Sequence, residues 1–341
     1  MILWLAAALA APSTEVQMLA GARTAPEATV EQPSEWEGGS RPAGVIASIG
    51  RVAWRGKSTW GGVGGAAWGT FPESNTSLLS MTPRGGIEVR EGALSASTGA
   101  TYDLRWFPGQ VTSSSGRLEV LAEVGAHPGT STLRAGATAI DRRYPRQKEW
   151  SFSTIEPEVG AETTWRDVRL GLASSMQWNR GRTVDAAGAS ALATGSQVRG
   201  RAELGLSKPL WALEFSYRPI VAFEGQSEDA ARPQFTPVGA YADDADALSA
   251  GGFVQHRVNV SMGVTPGPWT VRVGGLGRFR VSSEAAASFG RTVHGDVMIE
   301  RKASDHLAVF GRVGTSAVQL ANGPSYVDSQ AWLGLRWSWG P

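Results

Sequence analysis

The 341-residue chain carries a formal net charge of +1, has no cysteine, and is rich in glycine (43) and tryptophan (14) with only 18% charged residues. Near-neutral charge excludes the electrostatic footprint of a nucleic-acid binder. The lack of thiols excludes disulfides, thiolate metal sites, a cysteine nucleophile and a lipid-bearing cysteine.

No run of about 18 apolar residues occurs, so no transmembrane helix is expected. The apolar stretch Met1 to Ala11 ends in Ala8-Leu9-Ala10, a small-x-small pattern. Residues 1–10 therefore read as a cleaved secretory signal, although the usual basic start is missing. Residues 11–56 read as a flexible periplasmic leader, because 12–42 is dominated by Pro, Ala, Glu, Ser and Gly with little periodicity. Val45 to Trp54 is apolar but fits no place in the strand count that follows.

From residue 57 to residue 341 the pattern is alternation with period two. Leu94, Ala96, Ala100, Tyr102, Leu104 and Trp106 share one face of a run; Ser95, Ser97, Thr101, Asp103 and Arg105 share the other. A strand sends successive side chains to opposite faces, so this is a two-faced strand. Leu118 to Val124 repeats it against Arg117, Glu119 and Glu123, and Ile155 to Trp165 against Glu156, Glu158 and Glu162. Val168 to Trp178 follows against Arg169, then Trp211 to Phe223 against Glu214 and Arg218. Val258 to Val264 opposes Arg257, Trp269 to Val281 opposes Arg272, Arg278 and Arg280, and Leu333 to Trp339 opposes Arg336.

These runs are roughly 11 to 15 residues long, against about 5 to 6 in soluble sheets, and a tilted strand crosses a bilayer in about 9 to 11. Their apolar faces end in Trp106, Trp150, Trp165, Trp178, Trp211, Trp269 and Trp339, where an interfacial girdle belongs. Connections alternate between short (near 91, 128, 166, 208, 267 and 304) and longer (107–116, 141–148, 180–196 and 224–250). The expected fold is all-β: a transmembrane antiparallel up-and-down barrel of about fourteen strands, with twelve or sixteen also compatible with the count. Short turns then face the periplasm and long loops the outside. Outer-membrane lipid and lipopolysaccharide are its expected surroundings.

Parity assigns the lumen lining. Arg105, Glu156, Glu158, Glu162, Arg169, Arg201, Arg257, Arg272, Arg278, Arg312 and Arg336 face inward, along with Asp103, Glu119, Glu123, Arg199, Glu203, Glu214, Arg218, Asp296 and Glu300. An Arg turned into lipid costs about 2 to 4 kcal/mol near the midplane, which fixes the sense of the alternation. Neighbouring strands can pair these charges at about 5 Å, giving a hydrated, salt-bridged lumen or a path lined for a polar solute.

Little points to catalysis, and the expectation is a protein that is not an enzyme. Glu156, Glu158 and Glu162 could in principle do acid–base work or hold a hard cation, but Arg134 and Arg169 are candidate neutralising partners. His127, His256, His294 and His306 show no metal-ligand spacing, and His294 with Asp296 is the nearest approach to a catalytic pair. No Gly-x-Ser-x-Gly elbow and no phosphate loop occurs, so no cofactor or metal is expected. The acidic loop 224–250 could bind divalent cations at the lipopolysaccharide but reads more simply as solvated.

Met81 to Val89 followed by Leu94 to Trp106, with Tyr102, Arg105 and Trp106, resembles a hairpin of the β-barrel porins found beside exopolysaccharide export genes. The resemblance covers under a tenth of the chain. It implies a conduit for surface polysaccharide that works with periplasmic export proteins; general porins and non-conducting structural or adhesion barrels are the alternatives. Ala331 to Trp339 is similar to the C-terminal signal read by the barrel-assembly machinery, though the chain ends in Gly340-Pro341 rather than on an aromatic.

Overall fold

A computed structural model describes residues 13–26, 40–71, 78–106, 114–146, 151–184, 190–224, 253–282, 289–319 and 325–339. Its elements are β1 (Ser13–Pro26), β2 (Ser40–Arg55), β3 (Thr59–Phe71), β4 (Leu78–Glu91), β5 (Leu94–Trp106), β6 (Ser115–Ala126), β7 (Ser131–Arg143) and β8 (Phe152–Trp165). They continue as β9 (Val168–Val184), β10 (Ser190–Lys208), β11 (Trp211–Glu224), β12 (Phe253–Val264), β13 (Trp269–Ser282), β14 (Phe289–Lys302), β15 (Leu307–Gln319) and β16 (Ser325–Trp339).

Each strand pairs antiparallel with its chain neighbours, and β1 closes on β16, giving a sixteen-stranded barrel. Closure satisfies the backbone of every wall strand without water, as a bilayer requires. Sixteen is one of the counts the sequence allowed, two above the central expectation of fourteen, because β1 and β2 occupy residues assigned above to a leader. On β2 the alternation is faint for a physical reason. Met18, Ala20 and Ile46 face out, but the lumen side of the seam is also apolar: Leu19, Ala47, Phe310 and Trp332 form a buried cluster there. With Ala47 and Ile49 inward and Ile46 and Val52 outward, the contrast that marks a strand in sequence disappears on β2, whereas β1 keeps it, Glu15 and Gln17 alternating with Val16 and Met18. The signal segment 1–10 and Trp150 lie outside the described residues.

The outer face is apolar over its whole circumference. Leu333 is 71% exposed, Leu172 and Trp165 67%, and Val159 60%, values no soluble barrel would maintain in water. Trp165, Trp211, Trp269 and Trp339 mark the end with the short turns, and Trp106 and Trp178 the other. Arg166 and Arg301 lay guanidinium groups over Trp165 and Trp269 at 5.0 and 5.4 Å, as snorkelling cations do at an interface.

The two-residue turn Arg166-Asp167 places Arg166 at φ 52°, left-handed space that costs a non-glycine residue energy; an ion pair between Lys208 and Asp167 braces it. The expected loop 180–196 shrinks to 185–189. β9 and β10 continue pairing up to Val184↔Ser190, a stretch whose Gly, Arg, Thr and Ala residues carry no clear alternation.

Candidate functional site: the charged lumen

The inward face of β6 to β10 carries a connected polar network. Glu158 on β8 meets Arg134 on β7 at 3.2 Å and Arg201 on β10 at 3.1 Å. The second contact skips a strand. It forms because β9 presents only Gly171, Ala173 and Ser175 at this height, over which a long side chain from β10 reaches β8. Likewise Arg134 lies across Gly160, where a Cβ would come within 2.9 Å of its Nε. Glu156 accepts hydrogen bonds from Ser175 Oγ (2.5 Å) and Gln177 Nε2 (3.2 Å) and has Arg199 at 3.7 Å. Arg199 in turn donates to Gln177 Oε1 at 2.8 Å.

Two hollows open from this wall into the lumen. One, of about 380 Å³, is bounded by Glu119, Glu123, Arg134, Glu158 and Arg201 among others. The other, of about 170 Å³, is bounded by Glu156, Glu158, Arg199, Arg201, Arg218 and Arg257.

The remaining inward charges are distributed around the barrel. Arg105 bonds Asp103 on its own strand at 2.7 Å. Arg312 holds Asp296 at 3.0 Å, with His294 Nε2 3.4 Å from the other carboxylate oxygen. The His294–Asp296 pair of the sequence reading is thus adjacent in space, and Arg312 engages its carboxylate. Arg336 is ion-paired with Glu300. Glu162, Arg169 and Arg272 are exposed toward the short-turn mouth. Among the described residues no group of three His, Asp or Glu could hold a metal ion.

Parity puts these residues on the inward face, and one partnership differs from the expected one. Arg169 was a candidate partner for the β8 carboxylates; Arg201 and Arg199 take that place. The small residues of β9 were the available signal, since an Arg opposite a run of Gly, Ala and Ser has room to reach one strand further.

Aromatic side chains also lie flat on the inner wall. The Trp60 ring covers Gly86 and Gly99, where an added Cβ would come within 2.6 Å of its Cζ2. Glycine at these positions lets the indole pack against backbone, and packing of this kind also relieves the weakness of glycine in a strand.

A closed antiparallel barrel with an apolar exterior, aromatic belts and a charged interior is a transmembrane barrel, and the chain is an outer-membrane β-barrel with a porin-like architecture. Solved structures share this fold: Pseudomonas aeruginosa OccK1 (OpdK) at 10% identity, covering 96% of this chain and 99% of that one with a TM-score of 0.56. Acinetobacter baumannii OccAB1 matches at 9% identity, 97% of each chain and a TM-score of 0.55. Pseudomonas aeruginosa OccK2 (OpdF) matches at 12% identity, 96% and 98% coverage and a TM-score of 0.52. No family model and no curated protein matches the sequence.

Proposed function

We propose that this barrel is a conduit for a polar solute across the outer membrane, and that it serves the export of surface polysaccharide. The observation that carries the conduit is the lumen wall. Charged side chains from β6 to β12 line hollows in a hydrated interior, where a structural plug would call for apolar packing. The assignment to polysaccharide rests on the hairpin resemblance of Met81 to Trp106. A periplasmic export partner would dock on the short-turn rim, around Arg166, Lys208 and His306. Assembly into the membrane would use β16, whose outward row Leu333, Leu335, Trp337 and Trp339 presents the expected C-terminal pattern.

Deletion of the gene, followed by staining and sugar analysis of surface polysaccharide, tests this reading. Lost or periplasmically retained polysaccharide, restored by complementation, supports it. Normal surface polysaccharide with reduced uptake of small hydrophilic solutes identifies a general porin.

A further inference from the structure

The register of β10 to β13 brings arginines together in a way that no single strand reveals. Arg218 stands directly opposite Arg257, and Arg257 directly opposite Arg278. Pro219, which lacks an N–H, interrupts the β10–β11 ladder between Arg199↔Ile220 and Ala202↔Tyr217, leaving Arg201 across from Arg218. Arg201, Arg218, Arg257 and Arg278 therefore form one row across four adjacent strands, all pointing into the lumen. At about 4.8 Å between strands the row spans roughly 15 Å.

Like charges directly opposite one another destabilise a sheet, so fold stability alone does not favour such a row. Neither does general lumen hydration, which serine or threonine would provide. The surroundings are asymmetric as well. Among described side chains, the inward face of β10 to β13 holds six arginines (199, 201, 218, 257, 272 and 278) against two glutamates (203 and 214). The inward face of β6 to β8 reverses this, with three arginines (117, 134 and 142) against five glutamates (119, 123, 156, 158 and 162). Of the row, Arg201 is held by Glu158 and lies 3.7 Å from Glu203. Arg218 and Arg257 line the same hollow as Arg201, with Glu156 and Glu158 on its other side.

We infer that the Arg201–Arg218–Arg257–Arg278 row is a binding rung for an extended polyanion, specifically an acidic polysaccharide bearing successive carboxylates. A single small carboxylate would occupy one or two guanidinium groups. A row of this length matches several negative charges spaced along one chain, and bidentate guanidinium–carboxylate contacts are the strong form of this recognition. The proposal rests on the barrel being an open conduit and names the class of solute it conducts.

The test uses the full-length protein in planar bilayers under a tenfold KCl gradient, with added hexagalacturonate, galacturonate monomer or neutral maltohexaose. The wild type is expected to show an anion-directed reversal potential and to be blocked by hexagalacturonate at concentrations at least tenfold below either control. Arg218→Gln/Arg257→Gln/Arg278→Gln should shift the reversal potential toward cations and raise the hexagalacturonate concentration needed for block at least tenfold. Arg257→Lys should retain the anion preference. Arg301→Gln, on the outer face, should change neither readout, and an unshifted gel mobility on heating identifies any variant that failed to fold.

Equal block by hexagalacturonate and maltohexaose, or a triple variant that folds and keeps wild-type selectivity, overturns the rung. Block by the monomer at the same concentration as the hexamer would replace the polymer with a small carboxylate and also overturn it. These outcomes are independent of the deletion phenotype, which tests export itself.

Discussion

Val297 on β14 and Thr138 on β7 both lie near the middle of a strand, but on opposite faces of the wall. Val297 is 41% exposed and stands between Val273 (50%) and Val313 (62%), forming an outward apolar row. Thr138 lines the lumen directly across from Glu156. Val297→Arg therefore puts a guanidinium into hydrocarbon near the midplane, at a cost of about 2 to 4 kcal/mol. That corresponds to a roughly 30- to 1000-fold fall in the folding equilibrium constant. Thr138→Arg adds a cation beside a carboxylate in a polar lumen, where a partly exposed pair contributes about 0 to 1 kcal/mol. The assay is urea unfolding of each variant in phosphocholine vesicles, followed by tryptophan fluorescence. Equal destabilisation by the two substitutions, or a larger loss from Thr138→Arg, would refute the assignment of lipid and lumen faces.

Two further outcomes follow from the same geometry. Gly99→Val should cost about 1 to 3 kcal/mol by forcing the Trp60 ring off the wall, and Trp60→Ala in the same chain should recover most of that loss, read by the same unfolding assay. Protease added to intact cells should cut the connection 225–252 between β11 and β12 and spare the turns at Lys208 and Gly267; cleavage confined to those turns would invert the topology.

Much of the barrel was legible in sequence because lipid and water impose opposite demands on alternate residues. Leu94 to Trp106 alternates so cleanly that its inward and outward residues follow from parity alone, and the structure repeats that alternation residue by residue. Legibility failed where one of the two demands was relaxed. At the seam, Ala47 and Ile49 pack with Leu19, Phe310 and Trp332 and make the lumen side of β2 apolar, so β2 read as leader; β1 alternates, with Glu15 and Gln17 inward, but only over a short run beside Pro- and Ala-rich sequence. Toward the outer ends of β9 and β10 the sequence turns to Gly, Arg, Thr, Ser and Ala without period-two alternation, so strands read as loop.

The charged lumen was legible as a list of inward residues but not as partnerships. Which arginine meets which glutamate depends on register between strands, and here on the small residues of β9 that let Arg201 reach Glu158. The arginine row has the same origin. Each member looks ordinary on its own strand, and the row exists only once Arg218, Arg257 and Arg278 are aligned across the sheet.

The claim that this barrel conducts is tested most directly by single-channel recording of the purified, full-length protein in a planar lipid bilayer. A conducting barrel gives discrete, reproducible current steps in symmetrical KCl and, under a tenfold KCl gradient, a reversal potential that Arg257→Gln shifts toward cations. A correctly folded, heat-modifiable barrel that inserts and passes no current would contradict it.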